Sequence, residues 1–576
     1  MPKITPSRQQ YLDFKSQFPH AIVMFRLGDF YEMFDQDAEV AARELDLVLT
    51  GRPVAKGERV PMCGVPHHAV EGYIARLVEK GHHVAVIEQV GSEPVGGLTP
   101  REVSRVITPG TVMEPGMLSD TRHNYLLALA PEPDRQGGGW AAVGLAYVDI
   151  TTGEFAATQL DGEGATLTVV EELARLEPRE VLLPAAWSER GVTLPAGAHL
   201  TPVPDYRFEQ GFARQMLLDH FQVTTLDGFG LHEAPLAVRA SGAILAYLQD
   251  TQRGALAQLT AIRTYTTSHF MTLDSATRRN LELTETIREG SKRGSLLDVL
   301  DRTVTPMGGR LLRTWIGQPL LDRARLEARL DAVEALAGSG TARAAVREKL
   351  RHVSDLERLV NRLLVGRAGP RDLQALAASL RAVPALKDVI APAEALGSLA
   401  DALDSCEDCA DLIERALVDD APATLSAPGA FRPGYSPELD QVMASSRNAK
   451  DWVANLEETE RQRTGIKSLK VGYNKVFGYY LEVSRANAEK VPDDYIRKQT
   501  LVNAERFFTE ELKALEADIY GAQDRRLALE RELWAELVRR LEGHASRLLT
   551  SSRALAVLDV LTALAEVART RSYCRP

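Results

Sequence analysis

The stretch Phe25-Arg26-Leu27-Gly28-Asp29-Phe30-Tyr31-Glu32-Met33-Phe34 follows the apolar run Ala21 to Phe25, which predicts a short buried strand. Asp29 stands three residues before Glu32, a capping-box spacing that predicts a helix starting near Phe30. Phe34, Ala38, Ala41, Ala42 and Leu45 carry that helix onward as an apolar stripe. Under this reading Phe30 packs in the core and Glu32 satisfies a backbone N–H. A second reading turns both side chains outward. Gly28 lets the backbone come close to a nucleic acid, and an aromatic wedge can unstack a base step for about a few kcal/mol. That cost is least where pairing is already faulty. A carboxylate two residues on would be repelled by phosphates unless a base were there to hydrogen-bond it.

At 576 residues the chain is long enough for three to five domains, and 45% hydrophobic content supplies their cores. The formal net charge of −11 argues against a general nucleic-acid coat, so any DNA contact must be local. Met1 to Phe14 has no apolar signal core, and no apolar run is read as approaching the ~18 residues of a membrane span. A soluble, cytoplasmic chain with no membrane contact is expected. Cys63, Cys406, Cys409 and Cys574 make no disulfide framework. Cys406-Glu407-Asp408-Cys409 lacks a second ligand pair, so the two cysteines are read as chance surface residues and no metal is expected.

Along the chain, a helix is expected from Ala69 to Lys80 and strands over Val84–Val90 and Arg105–Thr111. Arg52, His68 and Arg76 are candidate phosphate contacts, which position a protein without specifying sequence. From Tyr125 the pattern turns α/β: a hairpin of Trp140–Ile150 and Glu154–Leu160, a helix Ala165–Leu176 and a buried strand Val181–Leu183. Asp149 near a strand end raises a ribonuclease-H-type metal enzyme, but that chemistry needs several convergent carboxylates and only scattered ones are present. Helices dominate Ser241–Ala430, among them one opened by Pro306, one over Arg323–Leu336 and one over Leu356–Leu364. Ser436-Pro437 caps a long helix to Thr464, a β segment follows, and a second long helix runs Thr509–Leu541. This reads as an outgoing arm, a tip and a returning arm. Residues 461–506 hold ten Lys/Arg against five acids, 10 − 5 = +5, which suits a phosphate grip. Charge alone selects Lys475 and Lys498 there.

Gly28-Asp29-Phe30-Tyr31-Glu32 resembles the Phe-x-Glu signature of the MutS family of bacterial mismatch-repair proteins. Pro66-His67-His68, Thr108-Pro109-Gly110-Thr111, Thr305-Pro306-Met307-Gly308-Gly309-Arg310 and Trp315-Ile316-Gly317-Gln318-Pro319-Leu320 are similar to that family as well. So are Lys470-Val471-Gly472-Tyr473-Asn474, Phe477-Gly478-Tyr479-Tyr480 and Thr500-Leu501-Val502-Asn503-Ala504-Glu505-Arg506. The resemblance implies a multidomain α+β and α/β protein. It would comprise a mixed mismatch-binding domain (1–117), a ribonuclease-H-like α/β connector (125–249) and an all-α core with long lever helices (250–430 and 509–576). A small β clamp with its flanking lever helix (431–508) would complete it. It implies recognition of mispaired or unpaired bases in duplex DNA, with Phe30 as wedge and Glu32 on a base. Lys470, Asn474, Asn503 and Arg506 are implied on the DNA backbone, MutL as a partner, a homodimer for the full-length family, and association with the nucleoid. The family's ATP and Mg²⁺ belong to an ATPase domain. No G-x-x-x-x-G-K-[ST] occurs in this sequence, so the chain is read as a DNA-binding portion, with no enzyme activity or cofactor of its own. The alternative is a superfamily member that grips branched DNA without reading mismatches.

Overall fold

Helix α1 (Pro6–Gln17) leads into strand β1 (Ala21–Leu27), and the chain then reverses through Gly28-Asp29 into β2 (Phe30–Phe34). The two strands pair antiparallel, Leu27 opposite Phe30 and Phe25 opposite Glu32. Gly28, at φ +60°, is the first of two loop residues, where a tight hairpin requires a left-handed backbone. The helix expected from Phe30 therefore begins only at Asp35, as α2 (Asp35–Leu45). Its start is fixed by the buried Asp37, which accepts hydrogen bonds from Val23 N (3.0 Å), Tyr11 Oη (3.0 Å) and Lys15 Nζ (2.8 Å). The Asp29–Glu32 spacing is a coincidence of hairpin sequence.

The protein is described here by a computed structural model covering residues 5–55, 58–90, 99–133, 140–162, 164–190, 194–252, 256–474 and 478–576. Strands β3 (Thr50–Ala55), β4 (Glu58–Pro66), β5 (His83–Gln89) and β6 (Arg101–Ile107) complete a six-stranded sheet ordered β3-β4-β2-β1-β5-β6. Helices α2 and α3 (Val70–Glu79) cover one face over Ile22, Met24, Tyr31 and Met33. Tyr11 of α1 packs on the other face with Val23, Phe25 and Phe34.

A second six-stranded sheet is built from β7 (Leu126–Pro133), β8 (Trp140–Asp149), β9 (Glu154–Asp161), β10 (Glu180–Pro184), β11 (His199–Val203) and β12 (Arg263–Thr264). Its order is β11-β10-β7-β8-β9-β12, an antiparallel meander extended by parallel strands at both edges. Helix α4 (Ala165–Leu176) packs on one face, and α5 (Gln210–Phe221) with α6 (Pro235–Gln252) on the other.

Helices follow. Thr305 caps the helix Pro306–Gly317 by accepting from Gly308 N, with proline in the first turn. Asp559 accepts from Thr305 N (2.8 Å) and Oγ1 (2.6 Å), and burial pushes its carboxyl above the usual range. Arg310, almost fully buried, donates to Asp355 (2.7 and 2.8 Å), Glu357 (2.8 Å) and the Asp120 carbonyl (2.9 Å). The helix Ala545–Thr570 corrects the expectation of no membrane-length apolar run. It is long and apolar enough, at a mean hydropathy of 1.5, but 78% of that window is buried, as in a core helix.

The chain divides into two compact units: Met1–Arg367 with Ala382–Asp404 and Leu548–Pro576, and Ala368–Arg381 with Ser405–Arg547. In the second unit the helix Pro437–Thr464, capped by Ser436 and ended by Gly465, packs along the returning helix Glu510–Glu542. Between them lies a sheet of β13 (Lys470–Asn474), β14 (Gly478–Ser484), β15 (Ile496–Thr500) and β16 (Ala504–Phe508), ordered β13-β14-β16-β15. Leu481, Val483 and Phe507 form its core with Leu456, Ile466 and Leu512.

Candidate nucleic-acid interface

Because side chains alternate along a strand, β2 sends Tyr31 and Met33 into the core and Phe30 and Glu32 to the opposite face. Tyr31 is 2% exposed, stacks on His67 (5.9 Å) and hydrogen-bonds Glu88. Phe30 is 48% exposed. The core reading of Phe30 is thus overturned. His67 N donates to Asp29 O (2.8 Å), tying the hairpin turn to the end of β4. A half-exposed aromatic is presented from a backbone whose neighbours are anchored.

Glu32 lies opposite Gly64 of β4, and a Cβ at Gly64 would stand 3.5 Å from Glu32 Cγ. The Glu32 carboxylate is ion-paired with Arg52 of β3. Arg52, read from sequence as a phosphate contact, here holds Glu32 instead, its guanidinium 5.9 Å from the Phe34 ring centroid. His68 is exposed in the short turn after Pro66, whose backbone pairs with Phe30, so the fold brings it to the hairpin. Arg76 is not brought there: it projects from α3, which covers the opposite sheet face, and reaches Asp46 (3.6 Å). Arg26, cross-strand to Tyr31, lies over that ring (5.3 Å) on the face opposite Phe30 and Glu32 and donates to Gly28 O, so it braces the hairpin.

In the β13–β16 sheet, register sets Lys470, Glu482 and Arg506 side by side on three adjacent strands. Lys470 is exposed. Arg506 bonds Glu482 (3.0 Å) and Gln499 (3.0 Å) and stacks on Tyr480 (4.2 Å), so it is an anchored cation rather than a free one. Lys498 is exposed, with its ammonium 5.0 Å from the Phe508 centroid. Asn474 ends β13 and is partly exposed, and the exposed Asn503 accepts from Arg485 N (3.1 Å) in the β15–β16 turn. Lys475 lies outside the described residues. Part of the +5 excess is offset from outside the counted window: Glu457 and Glu460, just before it, pair with Arg461 and Arg463. Arg497 is spent on Glu505 (2.9 Å).

Asp149 is fully buried and accepts from Thr151 N (2.9 Å) and Oγ1 (2.6 Å), with His123 Nδ1 at 2.9 Å. Burial works to raise its pKa, but these bonds and the His123 charge hold the carboxyl below its usual range. Asn124 N donates to it as well (3.3 Å), so its lone pairs are committed to structure. Cys406 and Cys409 are buried, not on the surface as expected. Asp408, Cys409 and His544 place one ligand atom each within 4.8 Å of one another, and Arg547 Nη1 sits 2.8 Å from Asp408 and 3.1 Å from His544 Nδ1.

Three models of one family match successive stretches of this chain. Residues 5–115 match the model for MutS domain I, 124–263 that for MutS domain II and 276–565 that for MutS domain III. The chain belongs to the MutS family. It is 47% identical to the DNA mismatch repair protein MutS of Symbiobacterium thermophilum over 100% of this chain and 66% of that protein. To the DNA mismatch repair protein MutS of Halothermothrix orenii it is 44% identical, over 100% of this chain and 64% of the relative. The chain thus spans about two thirds of the length of these relatives.

Proposed function

We propose that this chain recognises mispaired or unpaired bases in double-stranded DNA and so serves the first step of mismatch repair. Phe30 enters beside the mispair from the minor groove and Glu32 hydrogen-bonds a displaced base. The observation that carries the reading is Phe30, 48% exposed, with Glu32 on the same strand face. A core aromatic at that position would be covered, and a protein gripping DNA only by shape needs no such wedge. His68 near the hairpin, and Lys470, Asn474, Asn503, Arg506 and Lys498 on the β tip, supply backbone contacts that fix register without reading sequence, and Lys475 joins them by its charge and place in the sequence. Arg506 acts there through a guanidinium already oriented by Glu482 and Tyr480.

The domain limits follow the sequence reading: mismatch recognition over 1–117, a ribonuclease-H-like connector over 125–249, core over 250–430 and 509–576, clamp over 431–508. The connector is non-catalytic on this account, since the Asp149 oxygens are occupied by His123, both Thr151 donors and Asn124 N. MutL, a second copy of the chain, and ATP with Mg²⁺ at an ATPase domain belong to the whole family protein. We place its work in the cytoplasm, on the nucleoid. The test is binding of the chain to matched, G·T-containing and four-way-junction DNA at two salt concentrations. Tighter binding to the G·T duplex than to the matched one, at both salts, is expected. Preference for the junction with no G·T preference would replace this reading by the branched-DNA alternative.

A further inference from the structure

Glu32 is an unfavourable residue to bring near phosphates, and the fold deals with that charge before any DNA arrives. Opposite it on β4 stands Gly64, where an added Cβ would press on Tyr31 O (3.3 Å) and touch Glu32 Cγ (3.5 Å). The glutamate carboxylate meets Arg52 of β3, the next strand beyond β4. Within the pair the glutamate side chain is 17% exposed and the arginine 39%, so the contact is only partly screened by water. The Arg52 guanidinium also stands 5.9 Å from the centroid of the Phe34 ring, which shares the strand face of Phe30 and Glu32.

We propose that Arg52 is a specificity-determining residue: it neutralises Glu32, and only a mispaired base that replaces it releases the carboxylate for reading. This rests on the role given to Glu32 above. On matched DNA the bases stay stacked with their Watson–Crick edges paired, so the ion pair stays closed and the repulsion between Glu32 and phosphates is muted. On mismatched DNA the pair must open for Glu32 to reach a base, which subtracts from the affinity gained there. Both effects lower discrimination. Arg52 therefore sets how large the preference for a mispair can become.

The consequence differs from that of a phosphate-binding arginine. Were Arg52 bound to a phosphate, removing it would weaken matched and mismatched binding by the same factor, whatever residue 32 is. A neutralising partner acts only through Glu32. The test measures dissociation constants of the chain for matched and G·T duplexes in wild type, Arg52→Gln, Glu32→Gln and the double variant, with Arg52→Lys as the charge-conserving control. Arg52→Gln is expected to widen the ratio of the two constants by about two- to five-fold, the range of a partly exposed ion pair. It should leave the ratio unchanged when Gln occupies position 32, and Arg52→Lys should keep the wild-type ratio. An Arg52→Gln effect equal on both duplexes and in both backgrounds would overturn the proposal while leaving Glu32 as the reader. So would an Arg52→Lys variant that behaves like Arg52→Gln. A Glu32→Gln variant with unchanged discrimination would overturn the role of Glu32 and this inference with it.

Discussion

Replacing Phe30 by Ala separates a packing residue from a DNA-facing one. A buried Phe→Ala change costs about 3–5 kcal/mol. Phe30 is already 48% exposed, so about half of a side chain that buries roughly 150–250 Å² leaves little more than ~100 Å² to lose. At about 25 cal/mol/Å², and with the extended chain overstating the area, the loss is about 1–2 kcal/mol. Met33, 0% exposed and three residues along the same strand, provides the internal comparison: Met33→Ala should cost about 2–5 kcal/mol. Hydrogen exchange of a peptide spanning residues 21–34 reports local opening of β1 and β2 directly, which a melting curve of a chain with several domains does not. Protection should fall by about 5- to 30-fold for Phe30→Ala, and by more for Met33→Ala. Preference for a G·T duplex should vanish in the Phe30 variant. Loss of protection as large as in Met33→Ala, or a preference that survives, would refute the reasoning.

Lys470→Ala should weaken matched and mismatched binding alike and make the log-affinity versus log-salt slope shallower by about 0.9, measured by titration across salt. Arg506→Ala should also lower the protection of β14 and β16 in hydrogen exchange, because Glu482 and Tyr480 lose their partner. The Asp149–His123 pair should make the α/β region sensitive to pH on both sides. The Asp149 carboxyl is held low, so its contribution is present above about pH 4 and lost on acidification. Burial works against the His123 imidazolium, but Asp149 holds its pKa up, so that contribution is complete below about pH 6.5 and lost as pH rises. Asp149→Asn should flatten both limbs of unfolding measured against pH.

Most element boundaries were legible, since they rest on local chemistry: Ala165–Leu176 and Leu356–Leu364 are helices over the expected spans, and Ser436 caps the helix it was expected to cap. The decisive hairpin was not. The genuine helical stripe from Ala38 to Leu45 ran backwards through Phe34 to an accidental capping spacing at Asp29 and Glu32. The strand Phe30–Phe34 was not expected, although the glycine before it turns the chain in a left-handed conformation. Pairings across strands were beyond sequence. Nothing local says that Arg52 lies within reach of Glu32, or that Arg506 is bound by Glu482, because register is set by tertiary packing. The overcount of free charge at the tip has a simpler source: the acids that neutralise Arg461 and Arg463 sit one turn back on the same helix.

The central claim is that Phe30 enters the duplex at a mispair. A base analogue such as 2-aminopurine, placed beside a G·T pair, brightens when its stacking is broken, so fluorescence on adding the chain tests the wedge directly. A rise is expected on the mismatched duplex, little change on the matched one, and no rise with Phe30→Ala at concentrations that saturate binding. An equal rise with the alanine variant, or none with the wild-type chain bound, would contradict the claim.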